Sequence, residues 1–234
     1  MTASAADYAW YREYRCGLLT DGYCLTFVEA SSPAEYLARL DADVHGDCVG
    51  MDAYLERDMR FQDTQEDFGE QMLVGATSVQ GSGGPWTLAV EINGLVGIDE
   101  QLMRSASHGT RIFTHYRNIN AVTCFLWWQD GERRTWFESP WQRHGSSPDE
   151  LLSAMARVGY DLSDPETAYD EPVELETPGL FALAEELTGV RITPQLLDAS
   201  VYTTGIVTMP VPEPARVVID VTDASGDRFY REFP

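Results

Sequence analysis

Arg111-Ile-Phe-Thr-His-Tyr-Arg117, Val122-Thr-Cys-Phe-Leu-Trp-Trp-Gln129 and Arg133-Arg-Thr-Trp-Phe-Glu138 follow one another with only short joints between them. Aromatic and β-branched residues suit a pleated surface, and Asp130-Gly131 supplies the turn between the last two runs. Residues 111–138 therefore read as an antiparallel meander. In the middle run both parities are apolar, with Val122, Cys124, Leu126 and Trp128 against Phe125 and Trp127, so that strand is expected to be covered on both faces.

Period-two patterning continues upstream. Trp86, Leu88, Val90 and Ile92 alternate with Thr87, Ala89 and Glu91, which predicts a half-buried strand over 86–92. Gly81-Ser-Gly-Gly84 joins it to a strand over 71–79, and Gly22 to Val28 forms another near the start. Between the strands, Ser32-Pro33-Ala34-Glu35 carries the signature of a helix start, with Tyr36, Leu37 and Leu40 as its apolar face. A second helix is expected from Met51 to Phe61, and a third is capped by Asp99 and closed by Gly109. Residues 5–14, with Tyr8, Trp10 and Tyr11, predict a short docking helix.

Downstream of the meander, helices are expected over Ser147–Val158 and Pro178–Thr188, with a short one after Thr193-Pro194. Asp161 to Glu176 holds seven acidic residues and no basic one, which reads as a solvated linker. Met209-Pro-Val-Pro-Glu-Pro214 is a rigid connector to two strand-like runs, Val217–Val221 and Phe229–Phe233. The expected architecture is α+β: a mainly antiparallel sheet (meander 111–138 plus strands near 22–28, 71–79 and 86–92) with helices packed on it. Residues 1–208 form one domain in this reading, and 209–234 a connector with a hairpin appendage.

Charge bounds the function. Thirty-eight Asp and Glu stand against sixteen basic residues, all Arg, for a net charge of −22. Without Lys there is no Schiff-base amine, no phosphate-loop lysine and no Ser-Lys pair. So acidic a chain is also unsuited to binding a phosphate backbone, which argues against nucleic acid. The acidity is concentrated: Asp41 to Glu70 holds ten acidic residues against two Arg. The first fifteen residues, MTASAADYAWYREYR, lack an apolar signal core, and no stretch reaches the length of a membrane span. A cytoplasmic location away from membranes is expected. Four scattered cysteines match no zinc spacing, although Cys16 and Cys24 flank a turn-like segment across which they would face each other.

The segments Trp86-Thr-Leu through Glu91-Ile-Asn-Gly94, His108-Gly-Thr110, Tyr116-Arg-Asn-Ile-Asn-Ala121, Gly22 to Val28 and Leu187 to Leu197 together resemble an actinobacterial family of cytoplasmic proteins of unknown function. The resemblance spans roughly residues 20–200 and implies a shared fold, with no activity attached. Relatives carry Pro inside the Glu-x-Asn-Gly segment where this chain has Ile92, so the rigidity of that turn is not carried over.

Two constellations invite chemistry. Asp41, Asp43, Asp47 and Asp52, with Gly46, partly follow the spacing of a calcium loop. His45 and the short Asp52 depart from it, and a polar loop between two helices is the plainer reading. Glu91 and Asn93 at a strand end, with His115, Arg117, Asn118 and Asn120, would form a polar group in which Arg117 clamps an anion and Glu91 balances it. A structural network explains the same residues. Trp127 and Trp128 point to opposite faces, so one of them is a candidate for a pocket or partner surface. No catalytic motif is present and no cofactor is called for. The expected function is a non-enzymatic binding module for a basic protein partner, immunity- or regulator-like. The alternative is a small-molecule-binding or tailoring protein with a pocket near Glu91, His115 and Arg117.

Overall fold

The computed structural model describes residues 3–66, 69–162, 176–211, 217–222 and 228–233. Eight of its strands make one sheet: β1 (Tyr23–Glu29), β2 (Asp43–Val49), β3 (Gln71–Gly81), β4 (Gly84–Ile92), β5 (Arg111–Arg117), β6 (Thr123–Gln129), β7 (Glu132–Phe137) and β8 (Val201–Thr208). Their order is β2-β8-β3-β4-β1-β5-β6-β7, and every neighbouring pair is antiparallel. The α+β class and the meander, now β5-β6-β7, are as the sequence predicts. Strands β9 (Val217–Thr222) and β10 (Arg228–Phe233) form a separate two-stranded sheet. The acidic stretch over 163–175 and the Pro-rich connector over 212–216 lie outside the described residues.

Helices cover both faces. They are α1 (Leu18–Asp21), α2 (Pro33–Arg39), α3 (Gly50–Gln62), α4 (Glu100–Ala106), α5 (Leu152–Arg157), α6 (Glu176–Thr188) and α7 (Pro194–Ala199). On the first face Tyr23, Leu25, Phe27, Leu88, Val90, Phe113 and Phe125 pack with Tyr54 of α3, Met155 of α5 and Phe181 of α6. On the second, Val28, Ala76, Ala89, Ile112, Leu126 and Trp128 pack with Tyr36 and Leu37 of α2 and Met103 of α4. The parity of each strand decides which core a side chain joins.

Local signals explain the helix ends. Ser32 Oγ accepts from Glu35 N at 3.3 Å while Glu35 Oε2 accepts from Ser32 N at 2.8 Å, the reciprocal box that starts α2. Asp99 Oδ1 accepts from Leu102 N at 2.9 Å and Thr193 Oγ1 from Leu196 N at 3.0 Å, capping α4 and α7. The N-terminal segment docks as expected, as a 3-10 helix over Ala5–Arg12 whose Tyr8 stacks on Phe181 at 5.2 Å.

Several expectations are corrected. β4 is buried on both faces over Trp86–Glu91, because it lies inside the sheet between β3 and β1 and α2 covers its Thr87-Ala89 face. The segment Asp43–Val49 is an edge strand and not an interhelix loop, since pairing with β8 outweighs the turn tendency of its Gly and Asp residues. The helix expected from Ser147 begins only at Leu152, because Ser146 N and Ser147 N donate to Arg133 O and Arg134 O and lie along the β7 edge. Cys16 is exposed and Cys24 buried, and all four thiols are free. The segment between Cys16 and Cys24 is helical rather than a hairpin turn, with Arg15 and Cys16 at positive φ.

Phe181 joins the N-terminal segment, Tyr23 and His115 in one contact, at ring distances of 5.2, 5.7 and 4.7 Å. Phe181→Ala is expected to cost about 3–5 kcal/mol in a urea unfolding titration. A loss under about 1 kcal/mol would show that this junction contributes little to stability.

Candidate functional site

The polar group predicted from the sequence is split by the sheet. Glu91 lies beside Cys24 of β1, whereas His115 lies beside Leu25 and Arg117 beside Tyr23. Residues abreast on neighbouring strands share a face and successive residues alternate, so Glu91 faces the second core while His115 and Arg117 face the first. No Glu91–Arg117 pair forms. The geometry therefore supplies no single pocket containing Glu91, His115 and Arg117.

Each half has its own partners. Glu91 is fully buried, and its two oxygens accept from Val96 N at 2.8 Å and Gly97 N at 3.1 Å. Gly94 and Gly97 permit this approach. A Cβ at position 94 would stand 2.2 Å from Glu91 Oε2, and one at position 97 would stand 2.3 Å from Thr26 Oγ1 and 2.6 Å from Cys24 Sγ. Burial raises the Glu91 carboxyl to about 7 although the two N–H bonds oppose it. Burial, and then the Glu91 charge, push the Cys24 thiol well above its ordinary value. The arrangement clamps the 93–98 turn to the sheet. Its sequence signal is the spacing of Gly94 and Gly97 a few residues after a strand carboxylate.

On the opposite face His115 Nε2 meets Tyr23 Oη at 2.7 Å, and its ring stands edge-on to Phe181. Burial, with the charge of Arg117 adding to it, lowers its pKa to about 3, so the imidazole is neutral. Arg117 donates to Thr20 O at 3.3 Å and Thr177 Oγ1 at 3.0 Å. The amides serve turns: Asn93 takes φ 50 and donates its N–H to Gly22 O, and Asn118 Oδ1 accepts from Asn120 N and Val122 N. Asn120 is exposed at the tip of the β5-β6 turn. Trp127 and Trp128 do face opposite ways, and both are buried, at 5% and 1% exposure, so neither lines a surface.

The four aspartates of the calcium-like spacing do not converge. A bulge between Val44 and Gly46 puts Asp43 beside Ile206 and Asp47 beside Thr203, three residues apart on β8 and hence on opposite faces. Asp41 is exposed at φ 53 in the turn before β2. Asp52 in α3 pairs with Arg15, and Asp47 Oδ1 accepts from Thr203 Oγ1 at 2.8 Å. Among the described residues no three His, Cys, Asp or Glu side chains gather as a cation site would need.

What remains open is the β2 side of the molecule. Asp43 and Asp52 have side chains 84% and 85% exposed, and Val44 and Val49 are exposed between the acids. Meanwhile the arginines of the described residues are engaged. Arg15, Arg60, Arg104, Arg111, Arg133, Arg134, Arg143, Arg157 and Arg191 pair with carboxylates. Arg39 and Arg57 are spent on backbone carbonyls. Among the described residues no arginine forms an ion pair with Asp43 or Asp47, which are exposed on β2, whereas Asp52 is paired with Arg15.

The model of a family described as "Family of unknown function (DUF6461)" matches residues 1–212. No curated protein and no solved structure matches the chain.

Glu91 and His115 give opposite pH dependences. Glu91, raised from 4.5 to about 7, contributes stability that falls as pH rises through that window, because the folded state holds the proton longer. His115, lowered from 6.5 to about 3, contributes stability that falls as pH drops through its own window. The unfolding free energy of Glu91→Gln relative to the parent is therefore expected to rise with pH between 4.5 and about 7, by up to about 1.4 kcal/mol per unit. That of His115→Gln is expected to fall with rising pH between about 3 and 6.5. Denaturant titrations across pH check both signs, and parallel profiles for either variant would contradict its assignment.

Proposed function

The chain belongs to that family of unknown function, and from there we propose that it is a non-enzymatic binding module for a basic protein partner, immunity- or regulator-like, in an actinobacterial cytoplasm. The observation that carries this reading is the unneutralised acidity of the β2 side. Asp43 and Asp47 are exposed on β2 with no arginine in an ion pair with either, in a chain of net charge −22. Such a field attracts and orients a cationic surface, and the exposed Val44 and Val49 add apolar contact area. The abundance of Arg over Lys is in keeping with a GC-rich genome, and the free thiols with a reducing compartment. The small-molecule alternative is less well supported, since Glu91 and His115 are both fully buried on opposite faces.

Cross-linking mass spectrometry on the tagged full chain, expressed in its own cells with a carboxylate-to-amine reagent, tests the proposal. A basic protein linked through Asp43, Asp47, Asp52 or Glu56 in a saturable one-to-one complex is expected. Links only to acidic proteins, or only through the β7 side, would overturn it.

A further inference from the structure

The β3-β8 ladder stops short of the start of β8. β3 and β8 pair from Gln71↔Thr208 to Ala76↔Thr203 and no further, although the register would place Thr77 opposite Tyr202 and Ser78 opposite Val201. Met209 N donates to Glu70 O, so the even-numbered residues of β3 turn their backbone groups toward β8, and Ser78 inherits that direction. Gly50 N donates to Ser200 O, so Ser200 turns toward β2 and Val201 toward β3. Between them lies an open cleft of about 610 Å³, lined by Ser32, Pro33 and Ala34 on one wall and by Ser78, Val201 and Thr203 along the strands.

The lining of the cleft carries no charge, and its rim is acidic. Asp47 is held at the cleft by Thr203 and Glu35 by Ser32, whereas Asp198 beside Ala199 is taken by Arg15 and Tyr14. No arginine lines it. Resting on the reading of the chain as a module for a basic partner, we infer that this cleft takes an extended segment of that partner by strand addition. The segment's backbone bonds to Ser78 and Val201, Arg or Lys side chains of one parity reach Glu35 and Asp47 on the α2 face, and small aliphatic side chains of the other parity lie toward Leu196 and Ala199. A second copy of this chain is disfavoured as occupant by the like charge of its surface.

The probe is a capped Val-Arg-Val-Arg-Val peptide added to the full chain, with amide hydrogen exchange and calorimetry as readouts. Binding with slowed exchange at Ser78 and Val201 is expected. Ser78→Arg, at an exposed position, should keep the thermal unfolding midpoint and weaken binding by about tenfold or more, while Glu132→Gln on β7, at the far edge of the sheet, leaves it unchanged. Binding with protection confined to β2 and α3, or lost equally in both variants, overturns the cleft and leaves the acidic module standing. No binding of this peptide, with the basic protein partner still linked to the chain in cells, also overturns the cleft alone. Absence of both overturns both readings. Protection of Ser78 and Val201 without peptide, together with concentration-dependent dimerisation in sedimentation, assigns the cleft to a second copy and overturns the inference.

Discussion

Tyr23–Glu29 runs between β4 and β5, and the alternation along it apportions the molecule. Tyr23, Leu25 and Phe27 enter the aromatic core beneath α3, α5 and α6, while Cys24, Thr26 and Val28 enter the smaller core beneath α2 and α4. The strands on either side inherit this division through their registers. A slip of one residue in the β1-β4 ladder alone, with the β1-β5 ladder kept, would bring Glu91 to the face that His115 occupies.

That division explains why the buried polar residues are structural in character. Glu91 stands under close backbone approach at Gly94 and Gly97, with both oxygens occupied, and His115 stands against Tyr23 and Phe181 with a neutral ring. Both satisfy the rule that buried polar groups find partners, and neither is open to solvent. The excess of carboxylates lies at the surface, where the edge strand β2 is guarded by a bulge, by its acids and by Arg57 on the carbonyls of His45, Gly46 and Asp47. The opening at the end of the β3-β8 ladder carries no such guard in its lining.

Much of the fold was legible in local chemistry. The β5-β6-β7 meander, the Ser32 box, the Asp99 cap and the Gly81 to Gly84 connection each rest on residues a few positions apart. β2 and β8 were not legible, because Asp43-Val-His-Gly-Asp-Cys-Val49 carries turn residues and becomes a strand only through a partner more than 150 positions away. The candidate site failed for a related reason. Sequence alternation tells which residues of one strand share a face, but the relation between Glu91 and His115 passes through the register of β1, which no local pattern encodes. The cleft was invisible for the same cause, being made where two distant strands part.

In the proposed function, a basic partner is recognised through charge. Its most direct test is the equilibrium affinity of the full chain for the purified partner as a function of ionic strength. A steep loss of affinity as salt screens the facing charges is predicted. An affinity that holds constant across that range would contradict it.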